Sequence, residues 1–132
     1  MDRDFIRSYQ ELQVYQLAFE SAMVVFDLAK EFPAEEKERL TQPLVWSSRL
    51  VCVQVAEAWQ RRRYLNAFVA TLNKAEAKTA QTLTWLEFAV MCSYVDGQPG
   101  QELRQQYNQI LAGLGRLIDY APAWVIRGEE ER

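Results

Sequence analysis

The stretch LQVYQLAFESAMVVFDLAK, residues 12–30, decides the fold. Set at the 100° per residue of an α-helix, Leu12, Tyr15, Phe19, Ala22, Phe26 and Ala29 form one apolar stripe at alternating spacings of three and four. Val14, Leu17, Ala18, Val24, Val25 and Leu28 form a second stripe beside it. Gln13, Gln16, Glu20, Asp27 and Glu31 fill the narrow remainder. The apolar arc spans roughly 240°, where a helix on the surface of a bundle needs little more than about 100°. One stripe suffices for a core, so the first is assigned to the bundle interior. The second, with Val14, Leu17, Val25 and Leu28, is assigned to a contact with another subunit, because monomeric proteins avoid long exposed apolar patches. Cover by the Trp124-Val125-Ile126 segment is the alternative.

Outward from this helix the chain reads as one all-α domain over residues 1–132, with helices at about 8–31, 34–60, 62–95 and 100–120. The first ends at Phe32-Pro33, since a residue before proline is pushed out of the helical region. Pro33, Glu35 and Glu36 suit the start of the second. Pro43 lies inside it, so a kink or break is expected near 41–43, with Thr41 able to cap a restart. The third carries Leu65, Phe68, Leu72, Ala75, Thr79, Leu83, Leu86 and Val90 at helical spacing. Asp96-Gly97-Gln98-Pro99-Gly100 reads as a turn. The fourth buries Leu103, Tyr107, Ile110, Leu114 and Leu117, frays near Tyr120-Ala121-Pro122, and gives way to a loose, Glu-rich tail. Short connections make neighbours antiparallel, which predicts an up-down-up-down four-helix bundle, with a three-helix bundle carrying a long hairpin as the alternative.

Composition narrows function mainly by exclusion. The 132 residues contain no histidine, which removes Glu-x-x-His metal pairs, Ser–His and Cys–His nucleophile systems and the commonest zinc ligands. There is no glycine-rich phosphate loop and no Cys-x-x-Cys, and Glu57, Glu76 and Glu87 follow no metal spacing. No catalytic residue, metal, cofactor or small-molecule substrate is therefore expected. Cys52 and Cys92 read as buried, reduced thiols in apolar settings. No apolar run reaches membrane-spanning length, and the charged start Met1-Asp2-Arg3-Asp4 lacks a signal core, so the expected location is cytoplasmic.

The net charge of −3 conceals a basic middle. Arg39 to Lys78 holds seven bases and two acids, and the rest holds eight bases and sixteen acids. Arg61, Arg62 and Arg63 fall where the third helix is expected to begin, three cations at the positive end of a helix dipole. Pairing with Glu57 is one resolution. Capture of an anion such as nucleic-acid phosphate is the other, with Lys74 and Lys78 extending the strip and Tyr64 available to stack. Trp46, Trp59 and Trp85 read as packing anchors.

The string Tyr9-Gln10-Glu11-Leu12-Gln13-Val14-Tyr15-Gln16 with Ala18, then Phe32-Pro33-x-x-Glu36-x-x-x-Leu40-Thr41, Val55-Ala56-Glu57-Ala58-x-x-Arg61, and Trp85-Leu86-x-Phe88-Ala89 with Tyr94, resembles a known family. These are the small four-helix-bundle proteins encoded in intervening sequences of bacterial 23S ribosomal RNA genes, a family that includes the accessory variability determinant of diversity-generating retroelements. The resemblance covers residues 9 to 118. It implies a ring-like homopentamer without enzymatic activity. In the retroelement branch it implies a partner reverse transcriptase and bound RNA or DNA. Val45 and Trp46 replace the family's usual pair of arginines, and Gln54-Val55-Ala56-Glu57-Ala58 replaces Asn-Ile-Ala-Glu-Gly. Arg61 keeps a family arginine, while the chain as a whole lacks the strongly basic character of the retroelement members. Two functions follow: an accessory subunit for a reverse transcriptase and nucleic acid, or a protein–protein scaffold that binds no nucleic acid.

Overall fold

A computed structural model describes residues 6–126, and the charged start and the last six residues of the Glu-rich tail lie outside this range. Four long helices make the bundle: α1 Gln13–Ala29, α2 Gln42–Gln60, α3 Leu65–Met91 and α4 Gly97–Asp119. Each packs on the next, and α4 closes against α1. The run of neighbours is antiparallel. Ser21 of α1 donates to Gln106 of α4 while Val14 lies against Gly113, so the two numberings run in opposite senses. The up-down-up-down bundle is thus the observed architecture. A 3₁₀ turn, Tyr9–Glu11, precedes α1, and a short helical turn, Ala121–Trp124, follows α4 after the break at Tyr120.

The segment before α2 shows what Pro43 does. A 3₁₀ turn, Ala34–Glu36, leads into a π-helical turn, Lys37–Thr41, before α2 starts at Gln42. Proline in a regular helix clashes with the carbonyl four residues back, here that of Arg39. Widening the turn ahead of it leaves Pro43 in the first turn of α2, where an amide hydrogen has no helical partner anyway. The kink falls where expected, but Thr41 is itself helical and its side chain makes no capping hydrogen bond.

Two boundaries move. The residues Gly97–Gly100 are not a turn but the first turn of α4, where Pro99 again removes an amide that would have been orphaned. The reversal occurs earlier, at the end of α3. There Tyr94 N–H donates to Ala89 and Ser93 N–H to Val90, the paired bonds of a Schellman motif, with Ser93 at φ 63°. Tyr94 then donates its hydroxyl to Glu36 at 2.8 Å and stacks near Phe32, tying the end of α3 to the segment between α1 and α2.

The core corrects the reading of α1. Its buried line is Val14, Ala18, Ser21, Ala22, Val25 and Ala29, which straddles both stripes. Val25 is 1% exposed and Val14 9%, so the single bundle already buries both residues that were assigned to a subunit contact. Leu17 and Leu28 are half-buried and pack on the same core. Of the residues assigned to the core, Leu12, Ala22 and Ala29 are buried as expected, but Phe19 is 52% exposed, and Tyr15 and Phe26 are half-buried. Size explains the exchange. Alanine and serine at the centre line let helices approach closely, and the large side chains are displaced to the flanks. The core also encloses polar groups. Thr82 donates to Ser47 at 2.9 Å across the α2–α3 contact and, like Thr71 and Thr79, reaches a carbonyl one turn back.

Candidate functional site

Two features stand apart from the packed interior. The first is the basic turn. Because α3 begins at Leu65 rather than near Arg62, Arg61, Arg62 and Arg63 follow the C-terminus of α2 instead of opening α3. Cations there meet the negative end of a helix dipole, so the electrostatic conflict expected from the sequence does not arise. Arg61 caps α2 through its N–H to the Glu57 and Ala58 carbonyls, and its guanidinium pairs with the Glu57 carboxylate at 2.9 Å. Arg62 lies over the Trp59 ring, 3.8 Å from its centroid, and donates to the Trp59 carbonyl at 2.8 Å. Its partial burial lowers its pKa from the ordinary value. Trp124 meets Trp59 edge to face, and Ile126 N–H donates to the Arg62 carbonyl. Arg62 is therefore a fastening between α2 and the C-terminal segment. That segment lies against the end of α2, and Trp124 also borders a concavity with Gln13 and Val14 at the start of α1.

Arg63 and Tyr64 stand at the surface beside it. Lys74 and Lys78 do not join them. Lys74 lies nine residues into α3, about 13 Å along the axis, and Lys78 donates to Gln81 one turn away. The five cations read from sequence as a strip are divided between a helix-terminal turn and the middle of a helix. Arg61 and Arg62 are already engaged within the chain.

The second feature is an apolar face along α1 and α2 that the sequence reading placed on the wrong residues. Phe19, Met23, Trp46 and Val53 are exposed, and Tyr15 and Phe26 border them. Two concavities follow this seam. One, of about 800 Å³, is lined by Phe26, Lys30, Glu38, Pro43, Trp46 and Arg49. The other, of about 490 Å³, is lined by Tyr15, Phe19, Met23, Cys52 and Val53, with Arg49 between the two. The Lys30 ammonium and the Arg49 guanidinium lie 4.8 Å and 5.2 Å from the centre of the Phe26 ring. Lys30 also pairs with Asp27. Of the two cysteines expected to be buried, Cys92 is exposed, because it falls at the C-cap of α3 where the helix ends, while Cys52 is buried and burial pushes its thiol up to about 11. That shift makes it a poor nucleophile at neutral pH. A smaller ridge stands on α3, where Trp85, Phe88 and Met91 follow one another at helical spacing and the first two rings pack together. The helical position of Trp46 opposite the α2 core line is the sequence signal for this face.

Among the described residues, no group of three or more His, Cys, Asp or Glu side chains could hold a metal, and no helix is long and apolar enough to cross a membrane.

These features define a helical bundle whose distinguishing surface is apolar and lies on its first two helices. The chain belongs to the 23S rRNA-intervening sequence protein family, whose model matches residues 10–116. A solved structure is similar, that of a protein of unknown function from the S23 ribosomal protein family of Bacteroides thetaiotaomicron. It is 22% identical, covers 80% of this chain and 97% of that one, and superposes with a TM-score of 0.71, which bears on the fold. No curated protein matches the chain.

Proposed function

We propose that this protein is a non-enzymatic, cytoplasmic interaction protein that self-associates through the apolar face of α1 and α2. The observation that carries the reading is the run of exposed Phe19, Met23, Trp46 and Val53 along one seam. About half of Phe19 and two-thirds of Trp46, with half of Met23 and Val53, sum here to roughly 400 Å² of apolar surface, a patch of the size that is often functional. The resemblance to ring-forming members gives five as the expected number of subunits. Phe19→Glu combined with Met23→Glu leaves each bundle folded and lowers the mass in light scattering towards 15.4 kDa, the mass of one chain. An unchanged mass in the double variant would remove this face from the interface.

A second reading, binding of nucleic acid as a reverse-transcriptase accessory subunit, draws on the surface turn at Arg61, Arg63 and Tyr64. Repeated around an oligomer, the basic middle would bring about +25 of charge to the assembly, enough to steer a polyanion if it lies on one surface. This reading expects RNA binding that weakens steeply with salt and falls at least about tenfold when Arg61 and Arg63 become Ala. No retention of RNA by the purified oligomer at low salt would eliminate it and leave the scaffold function alone.

A further inference from the structure

The larger concavity, between the end of α1 and the start of α2, combines features that an exposed apolar face does not need. Its volume of about 800 Å³ lies within the roughly 300–1,000 Å³ of small-molecule sites. Such sites hold a ligand between apolar walls and orient it with a few placed polar groups. The walls here are Phe26, Pro43, Val45 and Trp46. The placed group is Arg49. Its guanidinium lies over the Phe26 ring, 5.2 Å from the centroid, and makes no ion pair or hydrogen bond among the described residues. A planar fork of N–H donors thus stands at the edge of an apolar groove with no acceptor. Lys30 lies over the same ring, but its ammonium is already paired with Asp27 at 3.4 Å. Glu38, the one acid in the lining, is within ion-pair reach of neither cation.

We infer that this groove binds a small carboxylate with a flat, apolar body, as a ligand and not as a substrate. The carboxylate takes the Arg49 fork and the body lies against Trp46 and Pro43. One uncommitted guanidinium matches one carboxylate in bidentate geometry, whereas a phosphate dianion or a polyanion calls for more than one free base. The α2 wall fixes the length. From Gln42 to Arg49 it advances seven residues, about 10 Å, which suits a body of two fused rings. The site goes beyond the self-association reading, and one consequence rests on that reading. Trp46 belongs to both surfaces, so ligand and neighbouring copy exclude each other.

The probes are 2-naphthoate and its neutral amide, 2-naphthamide, in isothermal titration calorimetry. Phe19→Gln combined with Met23→Gln supplies single chains with the groove uncovered and places no new acid near Arg49, which borders both concavities. On these chains 2-naphthoate binds at least about tenfold more tightly than 2-naphthamide. Adding Arg49→Gln abolishes the preference, while Lys30→Gln changes it by less than about threefold because that ammonium is already paired at the surface. Trp46→Ala weakens both probes by at least about threefold. All of these positions except Phe26 are exposed, and Phe26 is left unchanged, so circular dichroism is expected to give each added variant the melting temperature of its background. Equal affinity for the two probes, or a preference that survives Arg49→Gln, overturns the site. Absence of binding to the single chains overturns it as well and leaves self-association untouched. In the parent, saturating 2-naphthoate lowers the mass seen in light scattering towards 15.4 kDa. An unchanged mass, with binding to the single chains intact, overturns the exclusion and leaves the site standing.

Discussion

Ser93 holds a left-handed backbone, φ 63°, at the position after the α3 C-cap, where glycine is the usual occupant. Its Cβ imposes a steric cost that glycine avoids, so Ser93→Gly should stabilise the fold by about 1 kcal/mol. The midpoint of urea unfolding should rise, and a fall would mean that the serine hydroxyl contributes more than the strain removes. Val25 and Phe19 test the inverted assignment of α1. Val25→Glu places a charge among fully packed side chains and should cost more than about 3 kcal/mol, abolishing cooperative melting. Phe19→Glu alters a side chain that the single bundle leaves half in solvent, and the bundle's own stability should change by no more than about 0.5 kcal/mol. A folded Val25→Glu monomer would restore Val25 to the subunit contact.

At the scale of elements, periodicity made the helices legible and side-chain size hid their orientation. The 3–4 spacing of α3 and α4 carries over into the structure, because their core lines contain large residues such as Phe68, Leu72, Tyr107 and Leu114. In α1 the core line sets Ala18, Ser21, Ala22 and Ala29 among Val14 and Val25, and a hydrophobicity reading ranks the four small residues below the phenylalanines beside them. Hydrophobic pattern gives the width of the apolar arc, and only the closeness of neighbouring helices decides which part is interior. The start of α4 misled for a related reason. Gly97, Pro99 and Gly100 suggest a loop in isolation, yet each is tolerated in a first helical turn. Gly100 has a packing role in addition, since a Cβ there would come within 2.8 Å of Val90 Cγ2. Gly100→Ala should therefore destabilise by about 1–3 kcal/mol. Gly115→Ala, deeper in the same helix and with nothing within 4 Å of the added carbon, should stabilise by about 0.5–1 kcal/mol. Thermal denaturation of the pair separates packing from propensity, and equal shifts in the two would contradict the close contact with Val90.

For the whole molecule, the excess of apolar residues on the first helix was visible in the sequence, and so was its consequence, a surface that water should not be left to cover. The basic middle was equally visible but is spread differently than a linear reading implied. Arg61 closes on Glu57, Arg62 is fastened to Trp59, and the two lysines sit apart on α3. Those positions depend on α3 starting at Leu65, a boundary that no periodic signal marks, because three arginines and a tyrosine are compatible with either a turn or a helical start. Under the proposed function the apolar seam makes assembly matter more than charge. Sedimentation velocity across a range of protein concentrations, at physiological salt, measures that assembly directly. The proposed self-association predicts a species several times 15.4 kDa that Trp46→Glu converts to a folded single chain. A parent protein that sediments as a single 15.4 kDa chain at every concentration would contradict it.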